Sequence, residues 1–285
     1  MRFHRVETVR RLPHPGRGFT QGLVLDGDVV WESTGQYGQS SLRRYRLGAE
    51  VLDWSAPLPD ELFGEGICLA GDRLWQLTWK ERVALCWAPS SAQAGTAGTS
   101  ATGEPATTEP ATTEPATTGP SAAGPQAVEP YATVRYNTVR YNREGWGICN
   151  AGRWAVTSDG SSELVLRDLL TLEPIWTVLV RCEGRRVGGL NDLEWQGGRV
   201  WANVGSTACL VGVDLPSGEV LDVVDARAIA AREHAKRDPQ SVLNGIAAVP
   251  GTDDFLLTGK NWNSIHQVRV VPDRKARRPE KLLGL

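Results

Sequence analysis

The chain has 285 residues, 41% of them hydrophobic and 22% charged, with a formal net charge of -2. That is enough apolar material for one large all-β domain or two smaller ones, and the balanced net charge does not suggest an electrostatic grip on nucleic acid or an anionic membrane. No run approaches the roughly 18 consecutive apolar residues of a membrane span.

The chain opens on Met1-Arg2-Phe3-His4-Arg5-Val6-Glu7, a charged start with no apolar run of the secretory kind behind it. The expected location is therefore cytoplasmic, or exported if a leader precedes this chain. Val6 to Leu12 reads as a strand, and so does His266 to Val271 near the other end. The two are expected to share one sheet and leave few open edges.

Between them one unit recurs five times. Phe19-Thr20-Gln21-Gly22-Leu23 runs through the turn Asp26-Gly27-Asp28 to Trp31, and Phe63-Gly64-Glu65-Gly66-Ile67 runs through Ala70-Gly71-Asp72 to Trp75. Gly145-Trp146-Gly147-Ile148 leads through Gly152 to Trp154, and Leu190-Asn191-Asp192-Leu193 through Gly197-Gly198 to Trp201. Leu243-Asn244-Gly245-Ile246 leads through Gly251 to Phe255. Each copy reads as strand, glycine turn, strand, which is a hairpin signature. Units of about 40–50 residues with four short strands are propeller blades, and propellers have four to eight of them. The expectation is a single-domain, all-β, five-bladed propeller over residues 1–285.

A segment at about 89–130 interrupts the second unit. Glu104-Pro105-Ala106-Thr107-Thr108 recurs from Glu109 and again from Glu114, a low-complexity composition that cannot bury a core and predicts a disordered insertion. Thr133-Val134-Arg135-Tyr136-Asn137 is then duplicated over 138–142, read as slippage in a tolerated surface loop. The odd set Cys68, Cys86, Cys149, Cys182 and Cys209 holds no C-x-x-C pair, so buried free thiols are expected. The four histidines are scattered, which argues against a histidine-built zinc site. No metal or cofactor is expected.

The repeat separates scaffold from site. Trp31, Trp75, Trp154 and Trp201 share one position and are expected to pack between blades. The third position instead varies in chemistry: Gln21, Glu65, Trp146, Asn191 and Asn244. First strands line a propeller's axis, so these side chains should converge at one mouth of the channel. A second ring aligns Gly35, Trp79, Asp159, Gly205 and Lys260. Together they offer apolar walls and a few convergent polar groups, the composition of a small-ligand site.

These residues resemble the plant and bacterial type of glutaminyl-peptide cyclotransferase. The resemblance is carried by Phe19-Thr20-Gln21-Gly22-Leu23, Glu32-Ser33-Thr34-Gly35-Gln36-Tyr37-Gly38, Phe63-Gly64-Glu65-Gly66, Gln76-Leu77-Thr78-Trp79, Gly145-Trp146-Gly147, Leu190-Asn191-Asp192-Leu193, Leu243-Asn244-Gly245 and Thr258-Gly259-Lys260, in that order. It implies conversion of N-terminal glutamine of peptides to pyroglutamate with loss of ammonia. A monomer is expected, engaging neither membrane nor nucleic acid. By position it implies site residues Phe19, Gln21, Glu65, Trp79, Trp146, Asn191 and Lys260; Phe63 and Asn244 join them as substrate-binding candidates. Glu65 is the expected proton shuttle, its pKa raised by indole neighbours. Lys260 is expected to stabilise the oxyanion, Asn191 and Gln21 to orient the γ-amide, and the indoles to clamp the chain. Two departures stand out: Gly205 occupies a position where relatives carry tryptophan, and Asp192 one where they carry glutamate. Two other readings fit the same residues. One is a non-catalytic propeller that binds peptide N-termini. The other is a metal-dependent, lactonase-like hydrolase using Glu65, Asn191 and Asn244.

Overall fold

A computed structural model describes residues 1–88, 139–141, 143–233, 238–274 and 278–285. The expected insertion lies outside the described residues. So does the first copy of the duplicated pentapeptide. From the second copy, Val139–Arg140 forms a strand, so that copy is part of the sheet framework rather than loop alone.

The chain is all-β. After a long strand β1 (Arg2–Pro13), it lays down four-stranded meanders. The first sheet is β2 (Thr20–Asp26), β3 (Val29–Thr34), β4 (Ser41–Arg46) and β5 (Trp54–Pro57); the second is β6 (Gly64–Ala70), β7 (Arg73–Thr78), β8 (Val83–Trp87) and β9 (Val139–Arg140). The third is β10 (Ile148–Asn150), β11 (Trp154–Ser158), β12 (Glu163–Asp168) and β13 (Pro174–Leu179). A small hairpin, β14 (Arg181–Cys182) and β15 (Arg185–Arg186), precedes β16 (Leu190–Gln196), β17 (Arg199–Val204), β18 (Cys209–Val213) and β19 (Val220–Asp225). The helical turn α1 (Arg227–Ala230) leads to β20 (Leu243–Ala248), β21 (Asp254–Gly259) and β22 (Ser264–Pro272), and α2 (Pro279–Leu283) ends the chain. The unit's glycines (Gly27, Gly71, Gly152, Gly197, Gly251) sit in the hairpin turns at φ between 60 and 82°, where a side chain is strained.

β1 pairs antiparallel with β22 from His4↔Pro272 to Pro13↔Ser264, so the first and last strands share a sheet as expected. An unforeseen pairing is parallel, with β19, from Arg2↔Asp222 to Arg5↔Asp225. It fuses two meanders into one eight-stranded sheet. Its chemical cause is Asp222, a buried carboxylate that accepts from Arg2 Nε and His4 Nε2, each at 2.8 Å.

The first strands form a ring of contacts: β2 meets β6 and β20, β6 meets β10, β10 meets β16, and β16 meets β20. A hydrophobic cluster lies between each pair of neighbouring meanders. Trp31, Trp75 and Trp201 occupy these seams as expected, and Trp154 packs, partly buried, against the cluster between the third and fourth meanders. Trp154 and Phe255 do not hold the same position. Cys149 pairs with Val156 as Cys68 pairs with Trp75, so Val156 is the equivalent residue and Trp154 lies two places outward, half-buried under the Arg153 guanidinium. In the last meander the longer turn Pro250-Gly251-Thr252-Asp253 puts Leu256, not Phe255, in register with the tryptophans; Phe255 faces back onto Trp201 at 5.2 Å.

The ring narrows at its glycines. A Cβ on Gly22 would stand 2.6 Å from the Ile67 nitrogen, one on Gly66 2.7 Å from the Gly147 Cα, and one on Gly147 2.1 Å from the Asn191 oxygen. The strands therefore meet backbone to backbone there. In the fourth unit Asp192 replaces the glycine; its buried carboxylate accepts the Ile246 N–H at 3.0 Å and the backbone N–H groups of Leu193 and Leu23. Burial holds its pKa well above the usual value.

Candidate active site

At one end of this ring opens a pocket of about 430 Å³. Its lining contains Phe19, Gln21, Phe63, Glu65, Trp79, Trp146, Asn191 and Lys260, together with Gln36, Tyr37 and Gln240. The first eight are residues singled out in the sequence, drawn from all five units and three repeat positions. The hairpin register explains why they meet. Gly64 pairs with Thr78, so Glu65 and Trp79 emerge side by side at the end of one hairpin. Leu243 pairs with Gly259 and sets Lys260 likewise, its N–H held by the Val242 oxygen at 3.0 Å.

Asn244 is not at the surface of this pocket. It is fully buried behind Gln21 and donates from Nδ2 to Gln21 Oε1 at 2.9 Å and to the Thr20 oxygen at 3.1 Å. Gln21 in turn donates from Nε2 to Glu65 Oε1 at 2.9 Å. A chain of amides thus fixes one oxygen of Glu65 and the orientation of its carboxyl plane. Of the second ring, Gly35 and Gly205 supply no side chain. Asp159 turns away to Arg143, which donates to Oδ2 at 3.0 Å.

The electrostatics follow from burial. Glu65 is almost wholly buried, and desolvation raises its pKa well above the ordinary carboxylate range. Lys260 opposes that shift, while Asp192, Glu144 and Glu81 add to it. Burial lowers the Lys260 pKa, with Glu65 opposing. The Lys260 ammonium lies 4.7 Å from the Phe19 ring centroid, a cation–π placement. Asn191 keeps a buried Oδ1 with no hydrogen-bond partner among the described residues.

Aromatic rings form the walls. Phe63 meets Phe19 at 6.3 Å, Tyr37 at 5.4 Å and Trp79 at 5.3 Å between centroids. Two carboxylates outside the expected set hold these rings. Glu81 accepts from the Tyr37 hydroxyl at 2.7 Å and from the Phe63 N–H at 3.2 Å. Glu144 accepts both indole N–H groups, from Trp79 at 2.7 Å and from Trp146 at 3.1 Å. A signal for Glu144 was present in the repeat: it stands two residues before Trp146, as Phe19 stands before Gln21 and Phe63 before Glu65.

The arrangement is a blind aromatic pocket with a carboxyl group, a cation and two amides at its base. It suits a short chain end whose reacting atoms develop charge. The family model for Glutamine cyclotransferase matches residues 1–103 and 127–270. The chain is similar to a glutaminyl-peptide cyclotransferase of Arabidopsis thaliana, 28% identical over 274 residues, spanning 94% of this chain and 72% of that protein. Among solved structures it is similar to the glutaminyl cyclase of Myxococcus xanthus, with a TM-score of 0.76 and 28% identity over 95% of this chain and 99% of that one.

Proposed function

Because the chain belongs to the glutamine cyclotransferase family, we propose that it converts the N-terminal glutamine of peptides to pyroglutamate with release of ammonia, in the pocket around Glu65. The observation that carries the site assignment is the Asn244–Gln21–Glu65 hydrogen-bonded chain, which ends at a buried carboxyl facing Lys260 across one cavity.

Both reacting groups belong to one residue, so the site's main task is to fold that side chain back on itself. Trp79 and Trp146 clamp it, and Asn191 Oδ1 accepts a γ-amide N–H. The α-amine attacks the γ-carbonyl carbon. A C–N bond forms, and the carbonyl oxygen takes up negative charge facing Lys260. Glu65 removes one proton from the attacking nitrogen and gives it to the departing one. The γ C–N bond then breaks, the carbonyl re-forms and ammonia leaves. The raised Glu65 pKa makes the carboxylate a stronger base, which suits the exchange.

We further propose a single five-bladed propeller, each meander a blade. The closed ring of first strands and the clusters between meanders support this reading. Catalysis is proposed to be metal-independent: among the described residues no three His, Cys, Asp or Glu side chains are grouped to hold a metal ion. Ammonia release from a Gln-initiated dipeptide, with and without EDTA, tests both points. Release that survives EDTA is expected. Dipeptide binding without release overturns the cyclase reading in favour of a binding module, and release abolished by EDTA and restored by metal overturns metal independence.

A further inference from the structure

We propose that Glu144 is a positioning residue for this reaction, because its single oxygen Oε2 accepts both indole N–H groups and ties Trp79 and Trp146 into one clamp. The inference rests on the cyclase reading of the pocket.

Three observations carry it. First, the two indoles come from different meanders. Trp79 follows β7 and Trp146 precedes β10, so their spacing is not set by one strand. A shared acceptor fixes it. Second, the backbone is built to deliver that acceptor. Gly145 donates to the Thr78 and Trp79 oxygens at 3.2 and 3.1 Å. A Cβ there would lie 2.6 Å from the Thr78 oxygen and 2.1 Å from the Tyr141 hydroxyl. Glycine at this position lets the Glu144 segment press against the Trp79 segment. Third, Glu144 is absent from the lining of the substrate pocket and borders a separate small cavity beside Tyr141 and Arg167. It therefore acts through the rings. Its neighbour Arg143 is engaged elsewhere, with Asp159 at 3.0 Å and Glu163 at 2.6 Å, while the Lys80 ammonium sits 3.9 Å from the Trp79 ring centroid. The Trp79 indole is thus polarised from both ends, cation on its face and anion at its N–H.

A positioning group and a structural one are separated by kinetics on three variants. Glu144→Ala leaves both N–H groups without their charged acceptor, and KM for a Gln-initiated dipeptide should rise about tenfold or more with kcat within about threefold. Glu144→Gln keeps an oxygen at the same point, so KM should return to within about threefold of wild type. Removing a negative charge near Glu65 should also move the acid limb of the pH profile to lower pH. Trp79→Phe keeps the ring and loses the N–H; its KM effect should not add to that of Glu144→Ala. Near-UV circular dichroism checks the fold, and if Glu144→Ala does not fold, the Gln and Phe variants carry the comparison. Unchanged KM in Glu144→Ala, a loss confined to kcat, or full additivity with Trp79→Phe overturns the proposal. If the wild-type protein releases no ammonia, the cyclase reading fails by itself. Dipeptide affinity, read by tryptophan fluorescence, then decides on Glu144, with a rise in Kd expected for Glu144→Ala and an unchanged Kd overturning it.

Discussion

Replacing Glu65 by glutamine separates its chemistry from its place in the fold. The amide is nearly isosteric with a protonated carboxyl. Its oxygen can still accept from Gln21 Nε2, as Glu65 Oε1 does at 2.9 Å, so the amide chain from Asn244 survives. Proton transfer does not. General acid–base catalysis contributes about 10²–10⁴-fold, so kcat/KM should fall by that factor, about 2.7–5.4 kcal/mol of barrier. Stability should respond differently. Burial raises the Glu65 pKa well above the carboxylate range, so the fold does not depend on a charge at this position, and a neutral amide of the same shape removes little. The change in Tm should stay within roughly 2–4 °C, the equivalent of about 1 kcal/mol in a chain of this size. Were Glu65 instead the ionised half of a buried ion pair with Lys260, losing it would cost about 3–5 kcal/mol. Coupled detection of ammonia and thermal melts on the same preparation read both quantities. A variant that keeps its rate within tenfold, or whose rate and stability collapse together, would falsify the shuttle.

Further outcomes follow from the same geometry. Lys260→Met should lower kcat by about 10²–10³ through loss of the oxyanion partner. It should also flatten the alkaline limb of the pH profile, which burial of Lys260 sets below the ordinary lysine range; a profile and kcat like wild type refute the role. Asn244→Ala frees Gln21 behind the pocket wall, and a loss of up to about tenfold in kcat/KM is expected for one hydrogen bond. No change would mean that Gln21 is held by other contacts. Glu194 lies at the opposite end of the ring, where backbone N–H groups of Trp195 and Ala248 reach it at 2.7 and 3.0 Å. Its pKa is raised from 4.5 to about 7 by burial. The folded state therefore holds this proton more tightly than the unfolded chain. The resulting stability is fully present below pH 4.5 and is lost as pH rises through 7, a change of about 3 kcal/mol. Urea melts from pH 4 to 8 should show that slope reduced in Glu194→Gln; parallel slopes would refute the assignment.

What could be read in the sequence was whatever the repeat kept in register. Gln21, Glu65, Trp146 and Asn191 share a unit position, and a common hairpin geometry turns a shared position into a shared place. The same logic overreached where turn length changed. Two extra residues in the last turn moved Phe255 out of register, onto the strand face that meets Trp201, and Trp154 arrived two places early on its strand. Depth was not legible either. Asn244 looked like a lining residue because the repeat gives angular position around the axis but not whether a larger neighbour stands in front. The parallel β1–β19 pairing lay beyond reach for another reason. It depends on Asp222 meeting Arg2 and His4 across more than two hundred residues of chain, with no local pattern to announce it. Glu144 was missed because its position holds phenylalanine in two other units, and a ring that changes from apolar to acidic does not read as one set.

The glycine constriction sorts substrates by topology. Gly22, Gly66 and Gly147 bring their strands into backbone contact next to Gln21, Glu65 and Trp146, so along this arc of the ring backbone closes the space behind the pocket. A polypeptide can reach Glu65 by presenting a free end. An internal glutamine would have to bring two strands of its own backbone into the same pocket. On the proposed function, a shape closed on that side favours a terminal over an internal glutamine, before any charge on the terminus is inspected.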